Sequence, residues 1–146
     1  MDIYWCDVNK KRKKYWRLNP PESWTLGKNN DRIKYSTSEC KAKIGDCVIF
    51  YQTKQEEEKI EGRVQHVGEV YKIADEYNGE EYDDRYVYFE ITAISRQPIS
   101  LAEIQTNFEA LQNYPPQGGV SQMKDDKFEA GKRLIEFIKN KSQSEK

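Results

Sequence analysis

Apolar residues occur along this chain in short runs, which polar and charged segments separate. The runs are rich in β-branched and aromatic residues, and this composition predicts β-strands. Gly62 and Gly68 interrupt one run, and glycines inside a strand indicate the bulges or bends that a closed barrel needs. The predicted strands are Ile3–Val8, Arg32–Tyr35, Cys47–Thr53, Ile60–Tyr71 and Tyr86–Ile94.

Helical patterns are found in the last third of the chain. Ser100 followed by Glu103 is a capping-box pattern, which predicts the start of a short helix. Asp125 and Asp126 predict the start of a final helix, because apolar residues follow them at helical spacing. Those apolar residues are Phe128, Leu134, Ile135 and Ile138.

The other segments are predicted to be loops or irregular structure. Glu22–Asp31 contains turn formers, and the acidic segment Ala74–Arg85 contains Asn-Gly, so both are predicted as loops. Tyr15–Leu18 is predicted as a short helical or irregular segment, and residues 140–146 as a frayed polar tail. We therefore expect one α+β domain over residues 1–146.

Composition narrows the class of protein. Ten tyrosines and three tryptophans in 146 residues provide large, partly polar surfaces that build barrels and line recognition pockets. Cys6, Cys40 and Cys47 are odd in number and lack metal-type spacing. With no apolar signal segment or long apolar run, the chain is predicted to be a reduced, soluble, cytoplasmic protein that contacts no membrane.

Charge is distributed unevenly although the net charge is −1. Residues 1–43 carry 11 basic and 5 acidic side chains, whereas residues 44–109 carry 6 basic and 15 acidic ones. The basic first third is suited to a phosphate-facing surface, and the middle keeps the protein soluble. The other interpretation is a solvated surface with uneven charge.

Catalytic and metal-binding patterns are weak. His66 is the only histidine, which argues against a histidine-based triad or a multi-histidine metal site. Its position within a predicted strand favours a structural or surface role. The acidic segment lacks the spacing of an EF-hand loop, so we expect no bound metal and no cofactor.

Aromatic residues close to basic ones are the remaining chemical signal. Trp24 is four residues before Lys28, and Tyr35 follows Lys34 and is near Arg32. Aromatic faces stack on bases while cations meet phosphates, so this arrangement suits nucleic acid. It also suits ordinary core aromatics flanked by solvated charges.

A series of modest motifs adds a family resemblance that covers nearly the whole chain. A Tyr4-Trp5 strand is followed by Lys43–Tyr51 with its Gly-Asp turn, a glycine-containing strand, Pro98–Ile104, and Gln117–Met123 before the closing helix. In this order they resemble an EVE domain of the PUA-like superfamily, which is related to YTH and ASCH domains.

The resemblance implies a small mixed β-barrel with peripheral helices and a pocket for a flipped, modified base. EVE domains are associated with modified cytosine in DNA, so a non-catalytic, monomeric DNA-binding module is implied. Fused or neighbouring restriction or defence proteins are implied as partners. An RNA-binding module like the PUA and YTH relatives is the alternative. A small ASCH-like hydrolase, with Lys34 and a carboxylate as its acid–base pair, is a further one.

Site residues follow from the resemblance and from the basic first third. The residues implied for the base pocket are Trp24, Lys34, Tyr35, Phe50, Tyr51, Gln117 and Ser121. The residues expected to contact phosphates are Lys13, Lys14, Lys28, Arg32 and Lys41.

Overall fold

The computed structural model describes residues 1–8, 16–17, 21–36, 41–53, 61–77, 83–115 and 120–141. These residues form one sheet and two α-helices, which confirms the predicted α+β class. The helices are α1 (Leu101–Asn107) and α2 (Asp126–Asn140). The strands are β1 (Ile3–Val8), β2 (Trp16–Arg17), β3 (Gly27–Ser36), β4 (Cys47–Gln52), β5 (Arg63–Tyr77), β6 (Asp83–Ser100) and β7 (Val120–Gln122).

The sheet is mixed, and its strand order is β2-β3-β6-β5-β4-β1-β7. Strands β1 and β4 are parallel, and the other neighbouring pairs are antiparallel. The pairings within the described residues form an open series, without a ladder between β2 and β7. Closure into a barrel therefore stays a prediction.

Side chains are buried on both faces of the sheet. Helices α1 and α2 pack on one face and form the helix-side core. Its buried members are Ile3, Trp5, Ile49, Tyr51, Val64, Val67, Ala93, Ile99, Ile104, Phe108, Leu111, Tyr114, Met123, Ala130, Leu134, Ile135 and Ile138. The predicted apolar positions Leu134, Ile135 and Ile138 are therefore confirmed, and Phe128 packs against this core half-buried.

The opposite face forms the strand-side core. Its buried members are Tyr4, Cys6, Val8, Trp24, Ile33, Ala42, Val48, Phe50, Val70, Val87, Phe89, Ile91 and Ile94. The two cores alternate along β1 and β4 because successive residues of a strand point to opposite faces. No residue of α1 or α2 belongs to this second core, and its described members come from the strands and from the segments before β3 and β4.

The Gly-Asp turn directly precedes β4 and is hydrogen-bonded to the residue before β1. Gly45 adopts φ +97, a left-handed conformation that glycine tolerates best. The buried carboxylate of Asp46 accepts the amide of Lys43 at 2.7 Å and the amide of Asp2 at 2.9 Å. These two hydrogen bonds fix the turn and hold the start of β1 beside it.

Gly68 confirms the predicted irregularity of β5. The pairing of β5 with β6 shifts register between Val67 and Gly68. A Cβ at Gly68 would lie 2.9 Å from the Phe50 ring and 3.1 Å from the Glu90 carbonyl oxygen. The strand needs glycine here because an aromatic ring of the strand-side core approaches the backbone closely.

Three predictions for segments between the expected strands were wrong in part. Gly27 to Asp31 belongs to β3, and the ends of the acidic segment belong to β5 and β6, where Ala74 pairs with Tyr86. Trp16–Arg17 forms β2 against β3 instead of a helical turn. Strand pairing overrides the turn-like composition of these segments, since β-propensity depends strongly on context. Residues 78–82 lie outside the described residues.

The ends of the two helices largely agree with the predictions from the sequence. Ser100 Oγ accepts the amide of Glu103 at 3.1 Å, which confirms the predicted cap of α1. Helix α2 begins after Asp125, as predicted, although the Asp125 side chain makes no capping hydrogen bond. Asn140 is still helical, so the tail starts later than predicted, and residues 142–146 lie outside the described residues.

Candidate nucleic-acid interface

Trp24 lies between a 3-10 turn, Pro21–Ser23, and the start of β3. Its amide donates to the carbonyl oxygen of Pro21 at 3.0 Å, which fixes its backbone. Its side chain is only 5% exposed and reaches into the strand-side core. Trp24 is thus a buried residue on the short connection that precedes β3.

Three rings surround the Trp24 indole. The ring centroids lie 4.9 Å away for Phe50, 5.2 Å for His66 and 5.3 Å for Phe89. The interplanar angles are 63–79°, so none of these rings is parallel to the indole. We call this group, Trp24, Phe50, His66 and Phe89, the Trp24 cluster.

The indole N–H of Trp24 is a buried donor without a hydrogen-bond partner among the described residues. A buried unsatisfied donor costs about 1–3 kcal/mol. The indole N–H of Trp5 is a direct contrast, because it donates to Asp7 Oδ1 at 2.8 Å. Trp24 therefore carries an unsatisfied polar atom inside an aromatic group, and such an atom calls for a structural or functional explanation.

Phe50 and Tyr51, both predicted for one pocket, lie on opposite faces of β4. Phe50 contacts Trp24 in the strand-side core, whereas Tyr51 belongs to the helix-side core. Alternation along the strand persists here even though the ladder to β5 shifts register between the two residues. The structure brings Phe50 together with Trp24 and separates Tyr51 from both.

Tyr51 and Ser121 lie near Trp5 instead. The Tyr51 ring stacks on Trp5 at 5.4 Å, and Tyr114 meets Trp5 edge-on at 4.9 Å. Ser121 is half-buried on β7 and pairs with Trp5 across the ladder to β1. Burial raises the pKa of both tyrosine hydroxyls, so they are protonated at neutral pH. Gln117 lies outside the described residues.

Two of the predicted phosphate contacts have described side chains, and both are exposed. They are Lys28, whose Nζ lies 4.6 Å from the centroid of the Tyr71 ring, and Lys41. The backbones of Arg32, Lys34 and Tyr35 lie on β3, in register with Tyr88, Tyr86 and Arg85 of β6. Lys13 and Lys14 lie outside the described residues.

Sequence reasoning did not place His66 or Phe89 beside Trp24. His66 was expected to be structural or at the surface, and it is 3% exposed. The signal that would have found it is the register of β4 and β5, in which His66 is directly opposite Phe50. A single sequence does not give that register.

Other chemistry has little support in the described residues. No group of three or more His, Cys, Asp or Glu side chains in this part of the chain is placed to hold a metal ion. Burial raises the pKa of the half-buried Cys47 thiol, and Glu69 adds to the effect. Cys6 is buried in the strand-side core, and Cys40 lies outside the described residues. No described helix is long and apolar enough to cross a bilayer.

Comparison with known proteins yields no relative. None of the protein-family models, curated proteins or solved structures compared with this chain matches it. The resemblance to EVE domains therefore stays a prediction from the motifs.

Proposed function

We propose that this protein is a non-catalytic module that binds nucleic acid and recognises a modified base, with modified cytosine in DNA as the leading ligand. The observation that carries the proposal is the buried indole N–H of Trp24, which has no acceptor among the described residues. Aromatic rings and one unused donor are the elements with which a protein reads a flipped base.

A base supplies the hydrogen-bond acceptor that the indole N–H of Trp24 lacks among the described residues. Flipped bases are recognised by hydrogen bonds to their edge and by contact with aromatic or apolar side chains. An acceptor on the base edge would accept a hydrogen bond from the Trp24 indole N–H and remove a burial cost of about 1–3 kcal/mol. The apolar rings of Phe50 and Phe89 favour a planar, weakly polar ligand over a strongly hydrated one.

The surroundings of Trp24 favour an anionic polymer. Trp24 belongs to the basic first third of the chain, residues 1–43, which has 11 basic and 5 acidic side chains. Lysines that meet phosphates add a sequence-independent, salt-sensitive attraction. Flipping a base costs a few kcal/mol, which contacts with the base and the backbone offset.

The curvature of the sheet is part of the same proposal. We infer that the sheet curls into a PUA-like barrel around the strand-side core. The support is that this core is buried although no residue of α1 or α2 belongs to it. Bulges in the ladders of β3, β5 and β6 supply the bending that such curling needs. We further propose a cytoplasmic monomer that acts beside, or fused to, restriction or defence proteins.

The alternatives differ in what they require. An RNA-binding module would use the same aromatic cluster, and the 2′-hydroxyl is the chemical difference. A hydrolase needs a carboxylate that is available as an acid or base. Asp46, a buried carboxylate, accepts backbone amides with both oxygens, so its role is structural.

Calorimetric titration with matched duplexes tests the proposal. One duplex carries methylated or hydroxymethylated cytosine, one is plain, and the same sequences are also supplied as RNA. We expect the protein to prefer modified DNA by about tenfold, which corresponds to about 1.4 kcal/mol. Tighter binding of the RNA would favour the RNA alternative.

Two matched variants identify the site. Trp24→Phe keeps an aromatic ring but loses the N–H, so affinity for the modified duplex should fall about tenfold and affinity for the plain duplex should not change. Trp5→Phe makes the same chemical change in the helix-side core and should retain the preference. Equal affinity of the unaltered protein for all ligands, or an unchanged preference in Trp24→Phe, would refute the proposal.

A further inference from the structure

The helices cover only part of the sheet face on which they pack. The helix-side core takes Val64 and Val67 from β5, and Ala93 and Ile99 from β6. These residues belong to the first part of β5 and the last part of β6. Among the described side chains, no member of the helix-side core comes from the later part of β5 or the early part of β6, which form the rest of this face.

A bulge turns two successive residues of β5 toward this second part of the face. The pairing of β5 with β6 shifts register between Val70 and Lys72. Val70 is buried in the strand-side core and Ile73 packs against it, so the two residues between them, Tyr71 and Lys72, face the other way. Tyr88 of β6 is opposite Lys72 in the ladder and shares its face.

These side chains and Lys28 form what we call the tyrosine–lysine face, Lys28, Tyr71, Lys72 and Tyr88. The ammonium group of Lys28 lies 4.6 Å from the Tyr71 ring centroid, and that of Lys72 lies 4.9 Å from the Tyr88 centroid. The two rings are 6.3 Å apart and tilted by 52°. Both lysines are exposed and both tyrosines are half-buried, so rings and cations alternate in one patch.

We propose that the tyrosine–lysine face binds single-stranded nucleic acid, with one base stacked on each tyrosine and phosphates against the two lysines. The face is separate from the Trp24 cluster, because Val70 and Phe89 on the same strands point to the opposite side. Binding here requires no modified base, so this inference is tested independently of the proposed function.

The strength of the contacts decides how a base would bind. A cation–π contact at an exposed site is weaker than the stacking of a base on an aromatic side chain. A base therefore displaces the ammonium group from the ring, and the released lysine reaches a phosphate of the same strand. Duplex bases are already stacked inside the helix, so they do not offer their faces in this way.

Charge and ring faces together favour nucleic acid over an acidic peptide. A carboxylate-rich peptide uses Lys28 and Lys72 but gains nothing from ring faces, while a single strand uses both. Glu90 is half-buried and is in register with Lys28 on β3 and with Glu69 on β5. These carboxylates weaken the electrostatic attraction of the two lysines for phosphate. Binding therefore depends on the stacking of bases on the tyrosine rings.

Fluorescence anisotropy with labelled oligothymidylate and oligouridylate of about ten nucleotides, a length typical of single-strand sites, measures the binding. We expect Tyr71→Ala and Tyr88→Ala each to weaken binding about tenfold. Tyr71→Phe and Tyr88→Phe keep the ring, so they should bind within about twofold of the unaltered protein. The comparison of the two oligonucleotides distinguishes DNA from RNA.

The salt dependence tests the lysines separately. Lys28→Gln and Lys72→Gln should each reduce the slope of log affinity against log salt by about 0.7, the value for one phosphate contact on a single strand. Lys132→Gln is the matched control, because Lys132 is also exposed and lies 5.6 Å from the centroid of the Phe128 ring, but on α2. It should leave the slope unchanged.

Three results would overturn the inference. They are failure of the unaltered protein to bind either oligonucleotide, alanine variants that fold and bind normally, and tighter binding of polyglutamate than of both oligonucleotides. Folding of each variant is checked by circular dichroism. Loss of single-strand binding with the preference for modified duplex intact would separate this face from the Trp24 site.

Discussion

Replacing each of two buried tryptophans by phenylalanine should have very different effects on stability. Trp24 and Trp5 are 5% and 1% exposed, so each substitution removes the same atoms from a buried site. The two substitutions should therefore destabilise the protein to a similar extent through the cavity that they leave and the buried apolar atoms that they remove. What differs is the indole N–H, which donates to Asp7 in Trp5 and has no partner among the described residues in Trp24.

The difference can be estimated from the hydrogen bonds. Trp5→Phe loses a hydrogen bond to a carboxylate, which contributes about 1.5–3 kcal/mol. Trp24→Phe removes an unsatisfied donor, which recovers about 1–3 kcal/mol of burial cost. Trp5→Phe should therefore lower the free energy of unfolding by at least about 2.5 kcal/mol more than Trp24→Phe does.

Urea unfolding followed by far-ultraviolet circular dichroism measures both variants. Tryptophan fluorescence is unsuitable because each substitution removes one of the three tryptophan chromophores. Equal slopes against urea would show that the two variants expose the same surface on unfolding. The reasoning is refuted if Trp24→Phe destabilises the protein as much as Trp5→Phe, because the Trp24 N–H would then have a hydrogen-bond partner in solution.

Three further substitutions test the packing, the helix cap and a titrating group. Gly68→Ala should destabilise by about 1–3 kcal/mol, because its Cβ would overlap the Phe50 ring; an unchanged urea midpoint would contradict this close approach. Ser100→Ala should cost about 1 kcal/mol in thermal unfolding through loss of the bond from the Glu103 amide, and Ser100→Thr, which keeps the hydroxyl, should retain most of that stability. Burial, with Asp7 adding to it and Arg63 opposing it, raises the pKa of Tyr51, so its contribution to stability is present below pH about 10 and is lost as pH rises through the folded pKa. Tyr51→Phe should therefore make the loss of stability at alkaline pH shallower, and an unchanged profile would show that Tyr51 does not contribute.

Elements with local signals could be predicted from the sequence. The apolar run of β1, the Gly-Asp turn before β4 and the Ser100 cap of α1 depend on neighbouring residues, and all three are confirmed. The extensions of β5 and β6 could not be predicted, because an acidic segment with Asn-Gly has the composition of a loop. Pairing such as that of Ala74 with Tyr86 makes these residues strands, and pairing is a non-local property.

The candidate site shows the same limit. Trp24 and Phe50 were predicted, and they lie in contact. His66 and Phe89 complete the group from strands that are distant in sequence, so only the register reveals them. Tyr51 was assigned to the same pocket because it follows Phe50, but strand alternation puts it on the other face.

The most direct test of the central claim is a titration of isotope-labelled protein with a duplex that carries modified cytosine, observed at the indole N–H resonances by nuclear magnetic resonance. The chain has three tryptophans, and the Trp24→Phe variant identifies the Trp24 signal. If the Trp24 N–H donates to a flipped base, its resonance shifts strongly with the modified duplex and little with the plain one, while the Trp5 resonance stays in place. A Trp24 resonance that does not move when the modified duplex is saturating would contradict the claim.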